Sequence, residues 1–331
     1  MIKQSDIASR LGVSRVTVTK ALQNSYDISE EMKEKVRKLA EELEYIPNLT
    51  ARNFSSKKTN TIGIVIPDIT NLYFSSIVGG MINVAEKENF QIILTVSREI
   101  SRDKYKNIMN LLSLNVDGLL VCQYLHSLKS DIFEKVKRRN KPIVFFARPI
   151  GFHGFDLVGF DDYQAAADLT SYLIKKGKTK IAHISGNLNS DGKFRLQGFL
   201  DTMKKHSIKI KKDWIVEGDY FPEHGYNGFN KMYNSGPLPE AVFCGNDLIA
   251  EGLYDAARAK GVNIPNEISV VAIGHKRFAE ILFPKLTIID YPTETLGEEA
   301  MKLIISKIKS KTAKISNINL EYSLIENDSV C

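Results

Sequence analysis

The sequence predicts a small all-helical headpiece followed by an α/β core of two doubly wound parallel-sheet lobes. Two short amphipathic helices meet at Gly12 within residues 4–24. From Thr61 the pattern changes to apolar, β-branched runs separated by helical stretches; such alternation builds parallel sheets with right-handed crossovers. The scheme runs twice, in units of about 100 to 130 residues, the size of one lobe each.

The first helix follows from Ile7, Ala8 and Leu11, spaced i, i+1, i+4 on one face. Gly12 admits the positive φ of a sharp helix-ending turn. Ser14 is a good N-cap for a second helix, whose Val18, Ala21 and Leu22 face inward. Arg15, Val16, Thr19 and Lys20 are then expected on its outer face. This is the arrangement a helix-turn-helix uses to present side chains to base edges. Ser29 can cap a third helix, with Glu30 and Glu31 at its positive end and Met32, Val36, Leu39, Ala40 and Leu43 as its core stripe; this helix reads as scaffold. Pro47 ends it. Residues 49–56 form a helix candidate too short to persist alone in water, so it needs a partner.

In the core, strands are expected at 62–66, 92–96, 118–122 and 143–146, with helices near 73–88, 102–114 and 128–138. A second set of strands is expected at 157–160, 181–185, 214–216, 241–244, 269–273 and 286–290. Ligands of such sheets bind outside the carboxyl ends of the strands, here between the lobes. The loops at those ends carry Asp68, Asn71, Tyr73, Phe74, Arg148, Asp161, Arg195, Tyr220, Asn246, Asp247, His275 and Lys276. Any one of these fits a solvated loop or a helix cap, Asn246 and Asp247 especially. As a set they offer aromatic faces together with bidentate polar groups, the mixture a sugar or small-metabolite site needs.

Bulk properties exclude several classes. A chain of 331 residues with 43% hydrophobic and 25% charged content is an ordinary soluble protein of two or three domains. It contains no apolar run long enough for a membrane span, and the segment beginning Met-Ile-Lys-Gln has no signal-type apolar region. That argues against an exported binding protein with a similar core. Residues 1–60 hold eleven Lys or Arg against eight Asp or Glu, so DNA contact must come from local charge placement. Cys122, Cys244 and Cys331 form no CxxC pair, and the first two read as buried small hydrophobes in a reduced cytoplasm. Gly177-Lys178-Thr179 resembles a P-loop end, but the required first glycine falls at Tyr172. No nucleophile, metal-ligand or dinucleotide motif is present, so neither catalysis, metal nor cofactor is expected.

Asp6-Ile7-Ala8, Gly12-Val13-Ser14, Thr17-Val18-Thr19 and Tyr45-Ile46-Pro47-Asn48 with Ala51-Arg52 resemble, in order and spacing, the headpiece of the lactose-repressor (LacI) family, and the resemblance extends over essentially the whole chain. It implies a periplasmic-binding-protein-like core and a cytoplasmic, homodimeric regulator, most often a repressor, that binds pseudo-palindromic operator DNA under control of a small effector. DNA contacts are implied for Ser5, Ser14, Arg15, Val16, Thr17, Thr19, Lys20, Asn24, Asn48, Ala51, Arg52 and Phe54. Arg15, Val16 and Lys20 match base-contacting positions, while Ser14, Thr17 and Thr19 suit phosphates. Phe54 stands where the family usually has a leucine wedged into the minor groove from a hinge helix; the alternative is that Phe54 packs on the core. The implied division is 1–46 headpiece, 47–60 hinge and linker, and 61–331 core. Within the core, lobe one is about 61–160 plus 291–318, and lobe two about 161–290 plus 319–331.

Two departures bear on the effector. Gly177-Lys178 replaces a common Gly-His pair, and Gly274-His275-Lys276 replaces a common Phe-Asp-Asp. With Arg148 and Arg195 nearby, loss of an acceptor and gain of donors predicts an acidic effector such as a sugar acid or phosphate. The alternative is that Lys276 points into solvent and His275 is a neutral partner for an ordinary sugar. A transport-type binding protein, or an enzyme fused to a DNA-binding module, would share parts of this pattern. The first lacks the headpiece and the second needs a catalytic motif.

Overall fold

The computed structural model describes residues 2–45, 59–98, 101–122, 131–148, 154–188, 191–310 and 314–331. The chain forms two compact units, Met1–Thr59 and Asn60–Cys331.

Among its described residues the first unit has three helices, α1 (Gln4–Leu11), α2 (Arg15–Leu22) and α3 (Glu30–Glu42). Each begins on a satisfied cap. The Lys3 amide donates to Asp6 Oδ2 at 2.8 Å, Ser14 Oγ accepts from the Thr17 amide at 3.0 Å, and Ser29 Oγ accepts from the Met32 amide at 3.3 Å. Gly12 ends α1 at φ +63°, the left-handed conformation the turn requires. Ile7, Ala8, Val18, Ala21, Val36 and Ala40 close a small core. Leu11, Val13, Leu22, Ile28, Met32 and Leu39 pack against it half-buried.

The second unit contains two six-stranded sheets. The first orders its strands β11-β5-β4-β3-β1-β2, formed by β1 (Thr61–Ile66), β2 (Gln91–Val96), β3 (Gly118–Val121), β4 (Ile143–Phe146), β5 (Asp156–Gly159) and β11 (Asn317–Asn319). The other orders its strands β12-β10-β9-β8-β6-β7. These are β6 (Ile181–Ser185), β7 (Ile215–Glu217), β8 (Ala241–Cys244), β9 (Ser269–Gly274), β10 (Thr287–Asp290) and β12 (Ser323–Ile325). All ladders are parallel except the antiparallel β10–β12 pair. The central strands are buried on both faces, which is why they read as unbroken apolar runs. Cys122 and Cys244 are buried as expected, and Cys331 is exposed.

Helices α4 (Leu72–Lys87), α5 (Ser101–Ser113), α6 (Asp131–Arg138) and α12 (Thr293–Ser310) belong with the first sheet. With the other go α7 (Asp162–Lys175), α8 (Asp191–Lys205), α9 (Pro222–Asn234), α10 (Asp247–Lys260) and the short α11 (Lys276–Ala279). α4 and α12 cross in backbone contact: a Cβ on Gly80 would lie 2.0 Å from the Glu294 carbonyl oxygen, and one on Gly297 1.9 Å from that of Ile77.

Two expectations are corrected here. The strand expected at 157–160, grouped with the second set although it falls within the stretch 61–160 given to lobe one, is β5 and pairs with β4 in the first sheet. Strands β11 and β12 were not expected at all. They are three-residue, largely exposed edge strands with no apolar run to betray them. The chain therefore passes between lobes three times, after β5, after β10 and between β11 and β12. Phe160, Tyr291 and Tyr322, one from each crossing, form a single aromatic group. Phe160 and Tyr291 stack 3.9 Å apart, and Tyr322 lies 6.0 Å from Tyr291.

Candidate functional site

The headpiece presents α2 much as its pattern requires. Arg15 and Val16 are exposed at its N-terminal end, Val16 to 63%. Ser14 and Thr17 share a hydroxyl–hydroxyl contact of 2.9 Å beside them, and Ser5 is exposed. Thr19 departs from expectation. Its Oγ1 lies 2.8 Å from Gln4 Oε1 and 3.0 Å from the Arg15 carbonyl, so it is tied toward α1 and is half-buried. Lys20 is half-exposed and ion-paired with Asp27, beyond the end of its helix. Asn24 takes φ +56° in the turn after α2, and its Oδ1 accepts from Arg37 Nη2 at 3.0 Å. Sequence reasoning missed Asp27 as the partner of Lys20. It stands in a polar turn where helical periodicity carries no signal. Asn48, Ala51, Arg52, Phe54 and the hinge helix lie outside the described residues.

In the second unit, a cleft opens where the carboxyl ends of both sheets face each other. Lobe one supplies Asn71, Tyr73 and Phe74 after β1, and Ala147 and Arg148 after β4. Lobe two supplies Asp191 and Arg195 on α8, Tyr220 after β7, Asn246 and Asp247 after β8, and Ile273 and Gly274 ending β9. Tyr291, at the second crossing, completes the wall. Two polar groups serve twice: Asn71 Oδ1 caps α4 by accepting from the Tyr73 amide at 2.9 Å, and Asn246 Oδ1 caps α10 by accepting from the Ile249 amide at 2.9 Å.

Arg195 organises the polar side. Its Nε and Nη2 approach Asp162 Oδ1 at 2.9 and 2.8 Å, Nη2 also meets Asp191 Oδ2 at 3.0 Å, and Nη1 donates to the Gly245 carbonyl at 2.6 Å. Burial opposes the Arg195 charge, but the two aspartates outweigh it and hold its pKa above the usual value. Asp191 also accepts from the Tyr220 hydroxyl at 2.9 Å and lies 3.8 Å from Arg148 Nε across the cleft. The Arg148 guanidinium sits 5.3 Å over the Phe74 ring. Burial pushes Asp162 upward while Arg195 pulls it back. Burial pushes Asp247 up to about 6, against the amides of His275 and Leu248 that donate to it.

Eight of the twelve expected effector residues thus converge: Asn71, Tyr73, Phe74, Arg148, Arg195, Tyr220, Asn246 and Asp247. The other four do not line the cleft. Asp68 holds a turn, accepting from the Thr70 amide and hydroxyl at 2.8 Å each. Asp161 is exposed and caps α7 through the Gln164 amide at 2.9 Å. His275 is buried, its pKa lowered by that burial, and its Nδ1 caps α11 by accepting from the Arg277 amide. The Lys276 side chain is exposed, and its amide donates to Asp290. The neutral His275 and solvent-facing Lys276 are the alternative reading of that loop. Ala147, Asp191 and Tyr291 were not expected, nor was Asp162 behind them; Ile273 and Gly274 belong to the expected segment 273–276, but it is they and not His275 and Lys276 that line the cleft. Asp191 and Arg195 are four residues apart on one helix face, which could have flagged the pair.

A three-helix headpiece that exposes a capped second helix, joined to a two-lobed core with a polar interlobe cleft, defines a ligand-responsive DNA-binding regulator. Residues 4–48 match the model for bacterial regulatory proteins of the lacI family. Residues 59–328 match that for periplasmic binding proteins and the sugar-binding domain of the LacI family. The chain belongs to the LacI family and is a DNA-binding transcriptional regulator. Its relatives include the HTH-type transcriptional repressor PurR of Serratia proteamaculans, 33% identical over 98% of this chain and 96% of the relative. Catabolite control protein A of Priestia megaterium is 28% identical over 96% of each. The fold also matches the crystal structure of the lac repressor dimer bound to operator and the anti-inducer ONPF. The TM-score is 0.88 at 24% identity, covering 99% of this chain and 98% of that one.

Proposed function

We propose that this chain is a cytoplasmic homodimeric repressor, not an enzyme, whose hold on a pseudo-palindromic operator is set by a neutral, hydroxyl-rich small molecule in the interlobe cleft. Residues 1–46 read the operator, 47–60 act as the hinge, with Phe54 as its wedge, and 61–331 bind effector and partner copy. The headpiece match at residues 4–48 argues against a transport-type binder. A lone headpiece reads one half-site, so a palindrome calls for two.

The observation that carries the effector reading is the charge balance of the cleft. Arg195 is spent on Asp162, Asp191 and the Gly245 carbonyl. Arg148 faces Asp191, and Asp247 adds a further buried carboxylate without a cation of its own among the cleft-lining residues. An anion entering here would meet carboxylates, whereas hydroxyls find acceptors in Asp247 and Asp191 and aromatic faces in Phe74 and Tyr220. The acidic effector expected from this loop loses the support of His275 and Lys276, because neither side chain lines the cleft, and the two arginines that do line it, Arg148 and Arg195, already face carboxylates.

The test has two steps. Selection from a random duplex library yields the operator, and a thermal-shift screen then compares neutral sugars with their acids and phosphates. A neutral sugar that raises Tm and alters operator affinity is expected. Stabilisation confined to the acids and phosphates would overturn the effector reading, and no enriched duplex would overturn the operator reading.

A further inference from the structure

Lys20 stands on the outward side of α2, but its ammonium is not free. It is ion-paired with Asp27, seven residues on and beyond the turn that ends the helix. Asp27 is held in place from both sides. The Ser25 amide donates to the Lys20 carbonyl at 3.0 Å, the Ile28 amide to the Ser25 carbonyl at 3.4 Å, and Ile28 packs on the headpiece core. Asn24 is pinned to α3 by Arg37. The Asp27 carboxyl is held below its ordinary range by the Lys20 hydrogen bond and by Ser25, so it is a carboxylate whenever DNA is met. The surrounding charge is even: residues 2–45 carry eight Lys or Arg and eight Asp or Glu.

We infer that Asp27 is a specificity-determining residue: it keeps the Lys20 ammonium off the phosphate backbone, so that only a duplex offering Lys20 a better acceptor than the carboxylate gains its contact. Non-specific affinity comes from cations that displace phosphate counterions, each adding roughly 0.9 to the salt slope. A lysine paired with its own protein's carboxylate contributes little to that slope. A guanine edge in the operator offers two acceptors, O6 and N7, in a groove. In the specifically docked register that edge is held at Lys20 within the groove and draws the lysine from Asp27, whereas a loosely held random duplex presents no base edge there and leaves the lysine on its carboxylate. The inference rests on the reading that α2 enters the major groove, and it concerns binding to DNA of any sequence, where that reading is silent.

Three full-length proteins test it against a random-sequence duplex and the selected operator, from 50 to 200 mM salt. Asp27→Asn frees Lys20. Random-sequence affinity is then expected to rise about 5-fold at the low-salt end, the scale of one unit-charge contact in water. Its salt slope should steepen by roughly 0.9, while operator affinity changes less than random-sequence affinity, so the specificity ratio falls. Lys20→Met with Asp27 intact should leave the random-sequence slope unchanged. The double variant should lose the gain of Asp27→Asn. Two results overturn the inference: a slope that falls by about 0.9 in Lys20→Met, since the lysine was then on phosphate throughout, or a gain that survives in the double variant. If Asp27→Asn fails to fold, the Lys20→Met slope alone decides. A parent protein that selects no operator would instead defeat the groove reading, whatever the slopes.

Discussion

Tyr291 lies flat against Phe160, ring centroids 3.9 Å apart and planes at 12°. The two rings come from different passages of the chain between lobes, so the stack sits where any relative movement of the lobes must turn. The Tyr291 hydroxyl also donates to Asp162 Oδ1 at 2.9 Å, and Asp162 in turn holds Arg195 in the cleft wall. Crossing strands and ligand site are one connected network. Tyr291→Phe keeps the stack and removes one donor from a buried carboxylate. It is expected to cost about 1–3 kcal/mol in urea unfolding, whereas Tyr291→Ala, which also empties the stack, is expected to cost roughly 3–5 kcal/mol. Equal losses in the two variants would mean that the hydroxyl, and not the ring, holds the crossing.

Arg195→Ala should be the most damaging single change in the cleft. It leaves Asp162 buried without its cation and Asp191 with Arg148 alone, a situation that typically costs about 3–5 kcal/mol. The loss should shrink in acid. With the guanidinium gone, Asp162, already pushed upward by burial, takes a folded-state pKa still further above its unfolded one, so the cost falls away as pH falls and it protonates. Tm measured from pH 7.5 down to 4.5 should show the gap between variant and parent narrowing. A constant gap would place the damage in lost packing.

His183 supplies a pH dependence of the opposite kind. It lies in β6 between Phe199 and Phe243, its Nδ1 2.8 Å from the Phe243 carbonyl and its Nε2 without a partner among the described residues. Burial lowers its pKa from 6.5 to about 4. The unfolded chain binds this proton first, so the stability is whole above pH 6.5 and is lost as pH falls toward 4, by on the order of 3 kcal/mol. Asp247, raised from 3.8 to about 6, works the other way: it favours the folded state below 3.8 and ceases to do so as pH rises through 6. His183→Phe is expected to flatten the acid limb of the stability profile. An unchanged limb would show that some other group titrates there.

The Asp247 carboxylate also predicts how binding depends on pH. A ligand hydroxyl donates best to the ionised form, so affinity for the neutral sugar found by thermal shift should increase as pH rises through about 6. Asp247→Asn should bind more weakly at pH 7.5 and lose the dependence. Calorimetric titration at pH 5.5 and 7.5 measures both, and an equal slope in the variant would assign the proton elsewhere.

The fold was legible because its signals are periodic. Capped helices around Gly12 and twice-repeated apolar strands each obey a spacing that a single sequence displays. The cleft was legible in part, for strand ends locate it without saying which residue of a loop turns inward. Asp161 was chosen and Asp162 proved to be the partner of Arg195, because one residue decides between capping α7 and entering its first turn. His275 and Lys276 were chosen for their chemistry, yet the short α11 begins there and takes His275 as its cap. Asp27 was invisible for another reason: an ion pair seven residues apart across a turn follows no helical period.

The partner copy is expected on lobe two. Phe283 is 92% exposed and Ile281 74%, while Leu282 between them packs on the lobe core. Large apolar side chains so fully in water are characteristic of a contact surface. Exchanging Phe283 for Glu puts a charge where a self-complementary interface would have to bury it. Phe283→Glu is therefore expected to sediment as a monomer at micromolar concentration and to lose operator affinity by about 100-fold or more, because one headpiece reads only a half-site. Its Tm and its affinity for the cleft ligand should stay close to the parent's, since the side chain touches neither core nor cleft in the free chain. A variant that remains dimeric would move the interface to another face, and a monomer with full operator affinity would remove the need for a dimer altogether.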